Sequence, residues 1–441
     1  MILLARVAAH GSRAMKSILH AIRRVVLDDE RLLALANEHL AAREYAAATR
    51  VAAAILARHP DHREALKTLF NALLRMNDMR RAFDAYRRFQ ALDRDTAWRV
   101  ELCEDAEFRP ELAATGRPYV VELEDAIVDT TYWAIVQNGK LYNQEAYNRR
   151  VANSPLVGSR MSADEKVFIV AYPANVPVID RPCIFVGGDE SYSHWITRSL
   201  LKLSLVEDDR HRHLPLMLHT PLKRFHAEYL DLLEIAPERL IQVAAGAAVR
   251  CRRLVVPTQL SLRPGFAAGV DWLLARLGSR LGPLPGPAED LLFLSRSDSP
   301  DRVLVNEAEL GAALAPLGFR TVVPGTMSVA DQIRAFSRAR VIVAAHGAGL
   351  TNMIFAPRDA LIVEITSTNI AIMDDFRFMA GALGQRIVTS VSDDYRMDPA
   401  RAARIRPVQW DYRVDVGEVL AVLARELPDV RDRAEGGGPD R

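Results

Sequence analysis

Apolar and polar positions follow two different periods along this chain. Over residues 29–99 they recur at helical spacing, with Ala, Leu and Arg dominant and glycine absent, which predicts helices. Tyr45, Ala48 and His59-Pro60-Asp61 align, at a shift of 34, with Met79, Ala82 and Asp93-Arg94-Asp95. A helix pair of that length resembles the tetratricopeptide repeat, though the second copy has Arg94 where the first has Pro60. Such a region serves as a docking surface or as a helical spacer, and two copies call for a neighbour to cap them.

Past Pro118 the period shortens. Tyr119–Val121, Ala126–Val128 and Trp133–Val136 are β-rich runs, and Asn138-Gly139 is a hairpin signal. Strands and helices then alternate: strands at Cys183–Val186, Leu214–Leu218 and Leu254–Val256, helices at Trp195–Val206, Leu222–Leu233 and Phe266–Leu281. Pro283-Leu284-Pro285-Gly286-Pro287 reads as a linker. The second set has strands at Leu291–Leu294, Arg320–Val323, Val341–Ala345, Ala360–Ile365 and Ile387–Val391, with helices at Glu307–Leu314, Val329–Phe336 and Met373–Leu383. The expected organisation is a basic amphipathic segment (1–28), a helical domain (29–115), two α/β domains (116–284 and 285–428) and a disordered tail (429–441).

Composition narrows the function classes. With 441 residues, 49% hydrophobic and 26% charged, the chain can bury real cores. A formal charge of +1 gives no overall pull toward nucleic acid. Cys103, Cys183 and Cys251 have neither metal nor disulfide spacing, so a reducing, cytoplasmic setting is expected. Residues 1–27 carry five Lys or Arg and no acid, which suits an anionic membrane surface or packing on the next domain. There is no Gly-x-Ser-x-Gly elbow, no strand-linked Gly-x-Gly-x-x-Gly and no phosphate loop with Gly-Lys-Ser/Thr, so neither a hydrolase nucleophile nor a nicotinamide cofactor is expected. Asp208-Asp209, Asp374-Asp375 and Asp393-Asp394 are expected as solvated charge.

Candidate chemistry gathers at strand ends. Val341–Ala345 runs into His346-Gly347-Ala348-Gly349-Leu350-Thr351-Asn352, and a strand, glycine turn and helix start expose amides to an anion. Arg296 and Arg302 follow another strand and suit a diphosphate; Glu364 ends a third and suits a ribose or sugar diol. Asn306 is expected as a helix cap and Glu307 as a first-turn acid. Upstream, Gly187-Gly188-Asp189-Glu190-Ser191-Tyr192-Ser193-His194-Trp195 offers a general base with an aromatic pocket wall, but taken alone the stretch reads as helix caps and first-turn acids with a core tryptophan.

The ordered string Leu294-Ser295-Arg296, Arg302–Glu307, Gly318-Phe319, Pro324, Ser328, Gln332, His346–Asn352 and Phe355-Ala356-Pro357 resembles glycosyltransferase family 61. Tyr192-x-His194-Trp195 looks like that family's upstream motif; Asp331 stands where the family pattern has glutamate. The resemblance covers residues 118–395. It implies a GT-B pair of Rossmann-type domains and a capsular- or exopolysaccharide-type transferase. The implied reaction is metal-independent and inverting, with a nucleotide sugar as donor and a glycan or lipid-linked acceptor. His194 or Asp189 would be the base. Arg296, Arg302, His346, Gly347, Ala348, Gly349, Thr351, Asn352 and Glu364 would hold the donor, and Glu190, Tyr192 and Trp195 the acceptor side. The other reading is a non-catalytic nucleotide-sugar or glycan-binding scaffold that uses its helical repeats for protein contacts.

Overall fold

A computed structural model describes residues 28–76, 78–92, 97–103, 115–131, 133–142, 167–172, 176–282, 289–370, 373–392 and 409–427. The basic segment 1–27, the linker 283–287, Asp393-Asp394 and the tail 429–441 lie outside the described residues. The chain divides into two compact units.

The first unit contains helices α1 (Asp29–Ala41), α2 (Tyr45–Arg58), α3 (Arg63–Arg75) and α4 (Met79–Leu92). Every bound of the first pair recurs 34 residues on in the second: Asp29 to Arg63, Ala41 to Arg75, Tyr45 to Met79, Arg58 to Leu92. Ala48 and Ala82, the small residues of the repeat, are both buried. Asp28 caps α1 through the Glu30 amide and His62 caps α3 through the Ala65 amide. Ile55, Leu66, Leu73 and Tyr86 form the core. The same unit holds an antiparallel strand pair, Ala97–Cys103 with Val167–Ala171, that the apolar pattern does not announce.

The second unit is mixed α/β with two sheets. Its first sheet comprises β1 (Val120–Asp129), β2 (Ala134–Gln137), β3 (Val178–Ile179), β4 (Cys183–Gly187), β5 (Leu216–Thr220), β6 (Leu240–Ala244) and β7 (Ala248–Pro257). The order is β2-β1-β7-β4-β5-β6, antiparallel from β2 to β7 and parallel from β7 to β6, with β3 also beside β7. The two runs expected around Asp125 are one strand, and Asp125 itself takes a φ of 54°. At the Asn138-Gly139 hairpin signal both residues have positive φ, as a tight primed turn requires.

Helices α5 (Arg224–Leu232) and α6 (Phe266–Leu281) follow in this half. The helix expected over Trp195–Val206 is instead a π-helical turn, Trp195–Leu200, running into a 3-10 turn, Leu201–Val206.

The second sheet is parallel throughout: β8 (Asp290–Leu294), β9 (Phe319–Val322), β10 (Ala339–Ala345), β11 (Leu361–Ser367) and β12 (Arg386–Ser392), in the order β9-β8-β10-β11-β12. Helices α7 (Glu307–Leu314), α8 (Val329–Phe336), α9 (Asp375–Leu383) and α10 (Val416–Glu426) flank it. Alternation along β10 sorts its side chains: Val341 and Val343 join the core with α7 and α10, while Ile342 and Ala344 join the core with α8 and α9. That latter core also takes Ile184, Leu218, Trp195 and Phe266 from the first half. The sheet order reverses direction at β8 and β10, and the carboxyl ends there form a ligand crevice in doubly wound folds. Among the described residues no helix is long and apolar enough to cross a membrane.

Candidate functional site

The crevice at β8 and β10 is open. A cavity of about 490 Å³ lies there, bounded by Arg296 and Arg302 after β8, Ala348 and Gly349 after β10, and Tyr192, Lys223 and Arg224 from the first half. Its walls are joined across the unit. The Tyr192 hydroxyl donates to Asn352 Oδ1 at 2.6 Å, and the Val329 amide donates to Glu228 Oε2 at 2.6 Å. Arg224 donates to the Met327 carbonyl.

The loop after β8 is built to present two guanidinium groups. Glu307 is not merely a first-turn acid: its carboxylate accepts from the Ser295 hydroxyl and, at 3.0 Å, from the Arg296 amide. Arg296 Nη2 donates to Ser299 Oγ at 2.9 Å and to the Asp301 carbonyl at 3.1 Å, while its buried Nε has no partner. Arg302 sits at a φ of 56°, a costly conformation for a side chain of its size and one that clusters at functional sites. Its amide is held by the Gln409 carbonyl, and the next amide, Val303, by Asp411 Oδ1. Its guanidinium has no hydrogen-bond or carboxylate partner among the described residues. Burial, then the adjacent Arg296 charge, pulls the Arg302 guanidinium below its ordinary range. Two guanidinium groups thus sit side by side at the cavity.

The turn after β10 explains its own glycine. Gly347 is extended, with φ 170°, so its backbone needs no glycine. A Cβ there would lie 1.5 Å from Arg296 Nη1, so the guanidinium occupies the vacant space. Gly349 meets only ordinary contact with Pro324. A 3-10 helix, Ala348–Phe355, follows where an α-helix was expected. The amides of Ala348 and Gly349 have no acceptor among the described residues, as helix starts leave them.

The side chains of that turn depart from expectation. Thr351 and Asn352 are fully buried and cannot meet a diphosphate. Asn352 instead accepts from Tyr192 and donates to Gln332 Oε1 at 2.8 Å, tying the walls together. Glu364 is 3% exposed and does not line the cavity; its two oxygens accept from Thr389 and contact His346 Nδ1 at 2.7 Å, so it is not placed to meet a sugar diol. It fixes the His346 ring, whose Nε2 has no partner among the described residues. His346 is 5% exposed and does not line the cavity. Asn306 stands at the N-cap position of α7, as expected, but makes no side-chain cap hydrogen bond: its amide exchanges hydrogen bonds with the Val414 backbone, 108 residues away.

On the opposite wall, Tyr192 reaches the cavity while its neighbours do not. Burial raises the Tyr192 phenol, and the Tyr229 and Asn352 hydrogen bonds oppose that shift. Asp189 is buried, accepts from Ser199 Oγ at 2.9 Å and lies 3.9 Å from His194 Nδ1. The His194 side chain is 35% exposed. Glu190 is exposed and faces Lys223 Nζ at 3.3 Å. Trp195, expected at a pocket wall, is fully buried edge-on to His226 in the core. Lys223, Arg224 and Glu228 line the cavity without having been singled out in the sequence; their signal was a cluster of charge immediately after a parallel strand. Asp208 and Asp374 hold neighbouring His211 and Arg377, as solvated charge would.

The site falls inside a recognised sequence family. Residues 192–363 match the family model Glycosyltransferase 61. A beta-1,2-xylosyltransferase of Oryza sativa subsp. japonica is 41% identical over 88 residues, 20% of this chain and 15% of that protein. Protein O-linked-mannose beta-1,4-N-acetylglucosaminyltransferase 2 of Canis lupus familiaris is 34% identical over 97 residues, 21% of this chain and 16% of that protein. The Homo sapiens protein of that name is 38% identical over 85 residues, 19% and 14% of the two chains. The chain thus spans about one-seventh of the length of these curated relatives. Across residues 192–363, where the two arginines, the glycine turn and Tyr192 meet, the chain carries a glycosyltransferase 61 domain.

Proposed function

We propose that this protein is a glycosyltransferase that moves a hexosyl or pentosyl group from a nucleotide sugar to a glycan or polysaccharide-precursor acceptor, with inversion and without a metal or other cofactor. The observation that carries the reading is the unpaired Arg302 guanidinium beside Arg296 and the open amides of Ala348 and Gly349, all at one cavity. An inverting transfer breaks the bond between the anomeric carbon and the diphosphate as the acceptor oxygen attacks. The leaving diphosphate gathers negative charge, and preorganised donors lower the barrier there. In this proposal the two arginines and the helix start supply that charge directly.

The acceptor hydroxyl must lose its proton to a base. Asp189 is too enclosed to meet an acceptor, so we assign the base to His194, which is outside the cavity lining but partly exposed two residues beyond Tyr192 of the wall, and a supporting role to Asp189. The two sheets are the GT-B halves of this reading, and residues 29–115 a tetratricopeptide-like surface for a protein partner, supported by the exact 34-residue recurrence. We place the reaction in the cytoplasm, with residues 1–28 at the inner membrane face, on the basic amphipathic pattern of that segment.

Mass-spectrometric screening of nucleotide-sugar donors against the purified chain tests the reading. Arg302→Ala should lower turnover of the accepted donor by about a hundredfold or more. Donor binding without turnover under every acceptor tried would favour the scaffold instead, and no stabilisation by any nucleoside diphosphate would reject both.

A further inference from the structure

The first sheet carries a second cavity at its opposite end. The cavity of the glycosyltransferase 61 domain follows the carboxyl ends of the parallel strands: Lys223 and Arg224 come just after Thr220 of β5. The second cavity, about 270 Å³, opens at the amino ends, against Ile184 of β4 and Leu216 of β5. Its floor is apolar, from those two residues and Leu203, and Trp272 of α6 lines it.

Its rim carries three arginines, Arg212, Arg239 and Arg276, with one acid, Glu207, among them. Arg239 Nη2 donates to the Leu214 carbonyl at 2.9 Å, and Arg276 Nη2 to the Leu233 carbonyl at 3.5 Å. Neither guanidinium has a carboxylate within 4.0 Å among the described residues, and their other N–H groups have no acceptor there. Burial pulls Arg239 below its ordinary range; Glu207 opposes this and Arg276 adds to it, so the two cations feel one another. Holding two like charges at one half-enclosed rim costs energy that a bound anion would return. Arg239 is anchored to a fixed carbonyl, so little of its side-chain entropy remains to be lost on binding.

We propose that this cavity binds a small amphipathic anion, a phosphate monoester on an apolar or aromatic body, separately from the donor cavity. The phosphate meets Arg239 and Arg276; the body lies on the floor beside Trp272. The volume, near the lower end of small-molecule pockets, suits a headgroup or a single ring rather than a nucleotide.

The test is calorimetric titration of the full chain with phenyl phosphate, phenol and inorganic phosphate. Phenyl phosphate should bind more tightly than either fragment. Arg276→Gln, which keeps a donor for the Leu233 carbonyl, should weaken it at least tenfold while the melting temperature holds. Arg302→Ala should leave it unchanged, which separates this site from the donor cavity whatever becomes of the transferase reading. Arg239→Lys gives a second, independent loss. Binding lost with Arg302→Ala but kept with Arg276→Gln, equal affinity for inorganic phosphate and phenyl phosphate, or no binding at millimolar concentration would each overturn the proposal. Vesicles of phosphatidic acid in phosphatidylcholine form the second arm. Sedimentation that Arg276→Gln abolishes supports the site with a lipid headgroup as its source; binding of the soluble ester alone supports it with a free metabolite.

Discussion

Two turns in this molecule share a plan and differ in what fills it. After β4 the chain passes through Gly187-Gly188 into a short helix; after β10 it passes through Gly347 into another. In both, a glycine leaves room that a neighbouring side chain takes. At Gly188 the occupant is the Trp133 indole, whose Nε1 would lie 1.6 Å from an added Cβ. Trp133 is itself buried against Phe185, with ring centroids 5.9 Å apart, and Lys202 Nζ sits 4.9 Å from the Phe185 ring centre. At Gly347 the occupant is the end of Arg296, beside an open cavity. A strand–glycine–helix signature therefore reports only that a Cβ does not fit. Whether the site is packing or chemistry depends on the residue that arrives from elsewhere in the chain.

The largest effect expected from this contrast is at Gly347. Gly347→Ala places a methyl on Arg296 Nη1, the free end of a flexible side chain, and the backbone there is already extended. The guanidinium should swing away. Turnover should fall by about a hundredfold, as loss of one preorganised charge does, with little change in melting temperature. Adding Arg296→Ala to that variant should lower activity little further, because both changes remove the same group. A fall in melting temperature with activity intact would reverse the roles assigned to the two turns.

Gly188→Ala should do the opposite. The new methyl would meet three ring atoms of Trp133 within 2.3 Å, and a buried indole has nowhere to go. Overpacking of this kind costs about 1–3 kcal/mol. It should appear as a lower midpoint in chemical denaturation, while nucleoside diphosphate still protects the folded remainder.

The same contrast explains what was legible beforehand. Parallel strands buried on both faces read as unbroken apolar runs, so β8, β10 and β11 were visible within two residues. Helices α7 and α8 were visible to the residue because an acid or a serine opens each. β6, with the sequence LIQVA and mostly half-exposed, lacks either signal and went unassigned. Helix α10 also went unassigned, although Asp415 caps it and Val419, Val422 and Leu423 have core spacing. At the site, local reading places Arg296 and Arg302 where the structure has them, lining the cavity after β8. It misjudged residues whose partners are distant. Asn306 takes its N-cap position but turns its side chain to Val414, and Glu364 is drawn from the cavity to His346 and to Thr389 of β12.

The smallest effect distinguishes the first turn by its response to acid. His226 packs beneath that turn with both ring nitrogens in use: Nδ1 accepts from the Lys223 amide at 2.9 Å, and Nε2 donates to the Asp189 carbonyl at 3.0 Å. That pattern needs the neutral ring. Burial pulls its pKa down to about 4; the Asp189 hydrogen bond and Glu190 oppose this, and His219 and Lys223 reinforce it. The folded-state value lies below that of an unfolded histidine, so the unfolded chain binds the extra proton first. Stability is therefore full above about pH 6.5 and declines as pH falls toward 4, with a deficit of about 1 kcal/mol near pH 6. His219, edge-on to His226 with ring centroids 4.6 Å apart and also lowered by burial, acts in the same direction. His226→Gln retains a donor for Asp189 but cannot titrate. Denaturation midpoints measured from pH 7 to pH 4.5 should therefore fall less steeply in the variant than in the parent chain. Parallel slopes would show that the ring accepts its proton inside the fold, and the first turn would lose its distinction as the acid-sensitive one of the pair.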